Sequence, residues 1–165
     1  MAITKDLHIY ESGNGGEMLL LNGDLTMAET LYQTIYIALF GGNVEQSTLG
    51  NENENDEIVS VERFDYWANA LLWKDSKSKQ FNSETEKTLR NVTTNSLGRL
   101  KVKSAVDNDL VFLKKIVNFE SNVLILGVDK IKIQIIINEI QNQSNRIFQF
   151  VWDNAKQELI LDKTI

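Results

Sequence analysis

The hydropathy pattern of this 165-residue chain predicts an α+β fold, a single mixed or antiparallel sheet packed against two or three helices. Three observations carry that prediction. Apolar residues recur at helical spacing between Gly23 and Gly42, and again from about Leu97 to Val117. From Asn122 onward the spacing shortens to strict alternation, the mark of strands whose successive side chains point to opposite faces. Helical segments followed by a run of strands place helices on one face of a sheet.

At the N-terminus, Asp6 to Tyr10 and Glu17 to Leu21 are extended candidates, and the Gly- and Asn-rich segment between them suits a hairpin. The second arm is apolar at every position after Glu17, so it is expected inside a sheet with the first arm nearer an edge. Thr26 and Glu29 have the spacing of a capping box and are expected to start the first helix. Leu31, Ile35 and Leu39, flanked by Tyr32, Tyr36 and Phe40, form an apolar arc wider than a surface stripe, so this helix is expected to be buried on much of its circumference. Gly41-Gly42 then supplies a residue able to take positive φ at the helix end.

From Asn43 to Glu62 the composition turns acidic and Asn-rich, with too few apolar residues to offset the entropy of ordering, which predicts a long exposed loop. Its alternating oxygen side chains resemble a calcium loop only faintly, since Asn occupies the leading ligand positions and Asp56 stands where the sharp turn needs Gly. Phe64 to Trp73 concentrates aromatics, including Tyr66 and Trp67, and is read as a core or lid segment, with a partner-facing patch as the alternative. Ser83 and Glu86 form a second capping box. Thr93-Thr94-Asn95 breaks and recaps the helix, and Leu97, Leu100, Ala105, Val106, Leu110, Leu113 and Val117 then trace the expected core face of a second long one. Gly98 within it marks either a weak point or a close approach of another backbone. Val123 to Gly127, Ile131 to Ile137, Ile147 to Trp152 and Glu158 to Leu161 are the strand candidates, with a turn at Asn142 to Asn145.

Composition excludes several classes of chemistry. The chain has no Cys, so it has neither a disulfide framework nor a thiolate site. A net charge of -6 gives no general attraction to phosphate backbones, which speaks against broad nucleic-acid binding. No apolar run is long enough for a membrane span and no leader pattern is visible, so a soluble protein made in the cytoplasm is expected, as one domain covering 1–165. Pro is absent, so turns fall to Gly, Asn, Asp and Ser. His8, the only histidine, reads as structural, and no phosphate loop or dinucleotide fingerprint is present. Glu11 and Glu17 are one of many carboxylate pairs that 23 acidic residues offer, and they could face each other across the hairpin as the acids of a small cell-wall hydrolase. No cofactor or metal is implied.

Several of these segments together resemble a known family. Asp6-Leu7 with the Gly15-Gly16 turn, Gly23-Asp-Leu-Thr-Met-Ala-Glu-Thr-Leu31, Ile35-Tyr-Ile-Ala-Leu-Phe40, the Tyr66-Trp67 cluster, Ser83 to Leu89 and Asp107 to Leu113 resemble the Mu-type phage tail baseplate proteins. That family is related to the sheath-initiating wedge proteins of contractile tails. Two departures stand out: Phe64-Asp65-Tyr66-Trp67 replaces a Gly-Trp-Trp-Gly-like element, and Glu120-Ser121-Asn122 stands nearest the Glu-Pro-Arg of the wider group. The resemblance implies a non-enzymatic structural protein, six copies in a ring around the tail tube or hub, with baseplate wedge proteins and the sheath protein as partners. Strand addition at a sheet edge suits that role, and Leu7 and Ile9, or Glu158 and Leu159, are the expected edge positions, with Tyr66, Trp67 and Glu120 as further contact candidates. The sequence is also compatible with a soluble adaptor unrelated to tails.

Overall fold

The computed structural model describes residues 4–11, 16–41, 83–138 and 145–164. The acidic segment 43–62, the aromatic cluster with Tyr66 and Trp67, and the turn at 142–144 lie outside the described residues. The chain is α+β, with antiparallel strand pairs and three α-helices among the described residues, and it divides into two compact units, Met1–Lys87 and Thr88–Ile165.

In the first unit three short antiparallel ladders meet at one junction. Strand β1 (Lys5–Leu7) pairs with β6 (Met27–Glu29), β2 (Ile9–Glu11) with β3 (Gly16–Met18), and β4 (Leu20–Leu21) with β5 (Asp24–Leu25). The junction is a closed cycle of backbone hydrogen bonds. His8 N–H donates to the Thr26 carbonyl at 2.9 Å, Thr26 N–H to the Leu19 carbonyl at 2.9 Å, and Leu19 N–H to the His8 carbonyl at 3.0 Å. Each of the three residues thus gives and receives one bond, which satisfies the polar groups where the ladders diverge. The expected pair of long arms is therefore broken into short strands, and the N-terminal strands pair among themselves instead of joining the C-terminal sheet. Asn22 (φ 55°) and Gly23 (φ 83°) both lie in the left-handed region, the requirement of the two-residue turn that closes β4 on β5. Leu20 and Leu21, expected inside a sheet, are each 63% exposed at the tip of that hairpin.

Helix α1 spans Thr30–Phe40. The Thr26–Glu29 capping box does not form, because the Thr26 hydroxyl donates to the Leu19 carbonyl at 2.9 Å and residues 27–29 are drawn into β6. Glu29 stands at the N-cap with extended backbone and no side-chain cap, and Thr30 N–H donates to the Thr4 carbonyl at 3.0 Å instead. No residue of α1 is exposed, as its wide apolar arc predicts, and Tyr32, Tyr36 and Phe40 stack in sequence at 6.3 and 5.7 Å between ring centres. At its end Gly41 has φ −80°, not the positive angle expected; glycine is needed because a Cβ would collide with the Ile37 carbonyl oxygen. The Ser83 cap is as expected: Glu86 N–H donates to its hydroxyl oxygen at 3.1 Å at the start of helix α2 (Glu84–Asn91), while that hydroxyl donates to the Leu39 carbonyl.

In the second unit β7 (Asn118–Ile125), β8 (Lys130–Asn138), β9 (Asn145–Asp153) and β10 (Glu158–Thr164) form an antiparallel meander in the order β10-β9-β8-β7. Ile131, Ile133, Ile135 and Ile137 are fully buried, as are Phe148 and Phe150 opposite Ile135 and Ile133. Burying the four isoleucines stabilises the unit by roughly 6–12 kcal/mol, an upper figure because an unfolded chain is already partly compact. Strand β7 begins at Asn118, earlier than its apolar pattern suggests, since residues 118–122 find backbone partners along β8 from Asn138 to Gln134.

Helix α3 (Ser96–Asp109) continues through a 3₁₀ turn at Val111–Lys115. Asn95 caps it, its side chain accepting from Gly98 N–H at 2.8 Å. A Cβ at Gly98 would collide with the Thr93 carbonyl oxygen, so the close backbone approach is the reason for glycine there. The helix buries Gly98, Val102, Ala105 and Val106, while Leu97 and Leu100, expected in the core, are 62% and 53% exposed. The sequence pattern had the helix right and its rotation wrong at this end.

Candidate interaction surfaces

Strand β10 has β9 as its one neighbour in the sheet, so its other side is an edge among the described residues. Glu158 stands opposite Asp153 and Leu159 opposite Trp152; the register then slips, leaving Ile160 as the extra residue before Leu161 meets Val151. Such a bulge twists an edge strand locally and blunts indiscriminate pairing. Glu158 is exposed, Leu159 half-buried and Ile160 exposed. The turn leading into β10 is rigidly bonded: Asp153 Oδ1 accepts from the backbone N–H groups of Ala155 and Lys156 at 3.0 and 3.1 Å.

The N-terminal edge is different. Gln33 on α1 is buried at 2% exposure, and its amide lies against β2 as a strand would. Its Nε2 donates to the Ile9 carbonyl at 2.7 Å, and its Oε1 accepts from Ile9 N–H at 3.3 Å. Both backbone groups of Ile9 are therefore taken by the protein's own helix. Leu7, half-buried in β1, pairs with Met27. His8 is packed edge-on against Tyr10 and Tyr32 at 6.2 and 6.1 Å, a structural placement.

Glu120 lies within β7, exposed and opposite Ile136, at the other edge of the meander from Glu158 and Leu159. Next to it, buried Ser121 ties the strand to α3. Lys103 Nζ donates to Ser121 Oγ at 3.0 Å and to Asp107 Oδ2 at 2.8 Å, and the Ser121 hydroxyl donates to Asp107 Oδ1. Burial pushes the Asp107 carboxyl up, but the hydrogen bonds from Lys103 and Ser121, with the positive charges of Lys103 and Lys114, outweigh it and hold the group below the ordinary carboxylate value. Of the expected contact residues, Leu7 and Ile9 belong to the first unit, Glu120, Glu158 and Leu159 to the two outer strands of the second unit's sheet, and Tyr66 and Trp67 lie outside the described residues.

The register of the first hairpin also bears on the acid pair. Glu11 stands opposite Gly16 and Glu17 opposite Tyr10, so the two acids are not cross-strand partners as expected. Sequence reasoning missed the clamp of Gln33, whose only signal is an amide inside an otherwise apolar arc, and the Asn22-Gly23 hairpin, which the dipeptide announces plainly. Among the described residues no helix is long and apolar enough to cross a membrane. No protein-family model, curated protein or solved structure matches the chain.

Proposed function

We propose that this chain is a structural component of the baseplate of a contractile tail or tail-like injection particle, joining wedge to sheath by accepting an extended segment at β10. One observation carries the choice of site: β10 ends the strand order of a well-packed four-stranded sheet, with exposed Glu158 and Ile160 on it. A strand added there gains backbone hydrogen bonds along its length, and alternate side chains set the register. The clamp on Ile9 favours β10 over the N-terminal edge, because groups already bonded to Gln33 cannot template another strand. The identity of the partners, wedge proteins, sheath protein and tail tube or hub with six copies in a ring, rests on the resemblance carried by Gly23 to Phe40, Ser83 to Leu89 and Asp107 to Leu113. In this reading the protein is made in the cytoplasm and ends in the assembled particle.

The test has two arms. Mass spectrometry of purified contractile particles from the source culture should find this chain at a low, fixed ratio to the sheath protein; its absence from intact particles removes the reading. Ile160→Lys places a charge on the edge while leaving the buried face of the sheet untouched. Particles should fail to assemble with this variant although its circular dichroism and melting match the wild type, and normal assembly would count against β10 as the acceptor.

A further inference from the structure

Two surfaces of opposite character remain outside the edge just described. The β4–β5 hairpin presents Leu20 and Leu25, cross-strand partners that are 63% and 42% exposed, and the chain on either side of it carries Met18 at the end of β3 and Met27 at the start of β6, both about half exposed. The segment around it is acidic: from Lys5 to Glu29 the chain carries Asp6, Glu11, Glu17, Asp24 and Glu29 against the single cation Lys5. The second surface is the outward stripe of α3 and the 3₁₀ turn. Leu97, Leu100, Lys101, Ser104, Asn108 and Val111 are all exposed, at the three- and four-residue steps that align side chains on one side of a helix. The stretch is basic: Lys101 lies on the stripe and Arg99, Lys114 and Lys115 stand near it against Asp109, while Lys103 and Asp107 are paired with each other and tied to Ser121 of β7.

We infer that this chain binds a second copy of itself head to tail, the acidic apolar hairpin of one copy seated on the basic apolar stripe of the next. Charge complementarity selects this pairing. Stripe against stripe would oppose cations, and hairpin against hairpin would oppose carboxylates, whereas hairpin against stripe brings unlike charges around apolar centres on both sides. Apolar side chains grouped at the surface in this way, as they are among the described residues, mark interaction sites. Because the two surfaces differ, a bound pair still offers one free surface of each kind, the stripe of one copy and the hairpin of the other, so the contact propagates into a ring if the rotation closes and a filament if it does not. The inference does not depend on the baseplate reading, since it concerns the purified chain with no tail protein present.

Sedimentation velocity of the full chain at low salt, up to roughly 100 µM, is the first measurement. Concentration-dependent oligomers that weaken as salt is raised are expected. Asp24→Lys and Lys101→Glu should each remain monomeric alone, and an equimolar mixture of the two should assemble, because each interface in the mixture pairs either two native or two exchanged charges. Asp24 also accepts the Leu25 N–H at 2.8 Å, so Leu20→Ser serves as a second hairpin variant that leaves that bond in place; it too should lose assembly while keeping the wild-type circular dichroism. A wild-type chain that stays monomeric across the range overturns the inference. So do single variants that assemble like wild type, and so does a mixture that stays monomeric.

Discussion

Gln33 offers the sharpest test of how the first unit is held together. Replacing it with Leu keeps the approximate volume of a side chain that is only 2% exposed but removes both hydrogen bonds to Ile9. The Ile9 N–H and carbonyl then lose their partners at a half-buried position, where water only partly replaces them. Leaving a buried polar group unsatisfied costs about 1–3 kcal/mol, so with partial relaxation Gln33→Leu should destabilise the protein by about 2–4 kcal/mol. Urea unfolding reads this as a lower midpoint at unchanged slope, and hydrogen exchange should show early loss of protection at the Ile9 amide. Gln33→Glu sharpens the test. A protonated carboxyl offers one donor and one acceptor, as the amide does, whereas the carboxylate turns a second acceptor toward the Ile9 carbonyl. Burial and that carbonyl raise the folded pKa of the new carboxyl above its unfolded value of about 4.3, so its stabilising contribution is complete below that value and is lost as pH rises through the folded one. The deficit relative to wild type should therefore shrink on acidification. A Gln33→Leu change smaller than about 0.5 kcal/mol, the usual spread for an inconsequential substitution, would refute the clamp.

Two further outcomes follow from the second unit. The Asp107 carboxyl lies below its unfolded value, so its contribution is present above about pH 4 and lost as pH falls through the folded value; Asp107→Asn should flatten the acid limb of stability, modestly because the side chain is 39% exposed. Equal pH slopes for variant and wild type between about pH 2 and 5 would contradict this assignment. Asn95→Ala removes the cap bonded to Gly98 N–H and should cost about 1 kcal/mol by chemical denaturation, with Asn95→Ser recovering most of it.

Much of the second unit was legible because its central strand β8 buries alternate residues, on one face only. Where Ile131 to Ile137 alternate with Lys132 and Gln134, the pattern specifies strand, facing and register at once, since a one-residue slip would bring every isoleucine to the surface. The capping boxes illustrate the contrast. The Ser83 hydroxyl accepts from Glu86 N–H as the spacing predicts, whereas Thr26 and Glu29, with the same spacing, form no such cap. The difference is tertiary: β1 supplies backbone partners for residues 27–29 and the Leu19 carbonyl claims the Thr26 hydroxyl, so extended structure outcompetes a first helical turn.

By itself the sequence determined the α+β class, the positions of α1, α2 and the C-terminal strands, and the buried isoleucine face. These follow from side-chain period and local backbone chemistry, which act over a few residues. Tertiary structure alone decided the junction of His8, Leu19 and Thr26, the rotation that leaves Leu97 and Leu100 outside, the occupation of Ile9 by Gln33, and which strand is left at an edge. Each of these depends on which distant segment reaches a backbone group or a face first, and no local pattern of residues encodes that competition.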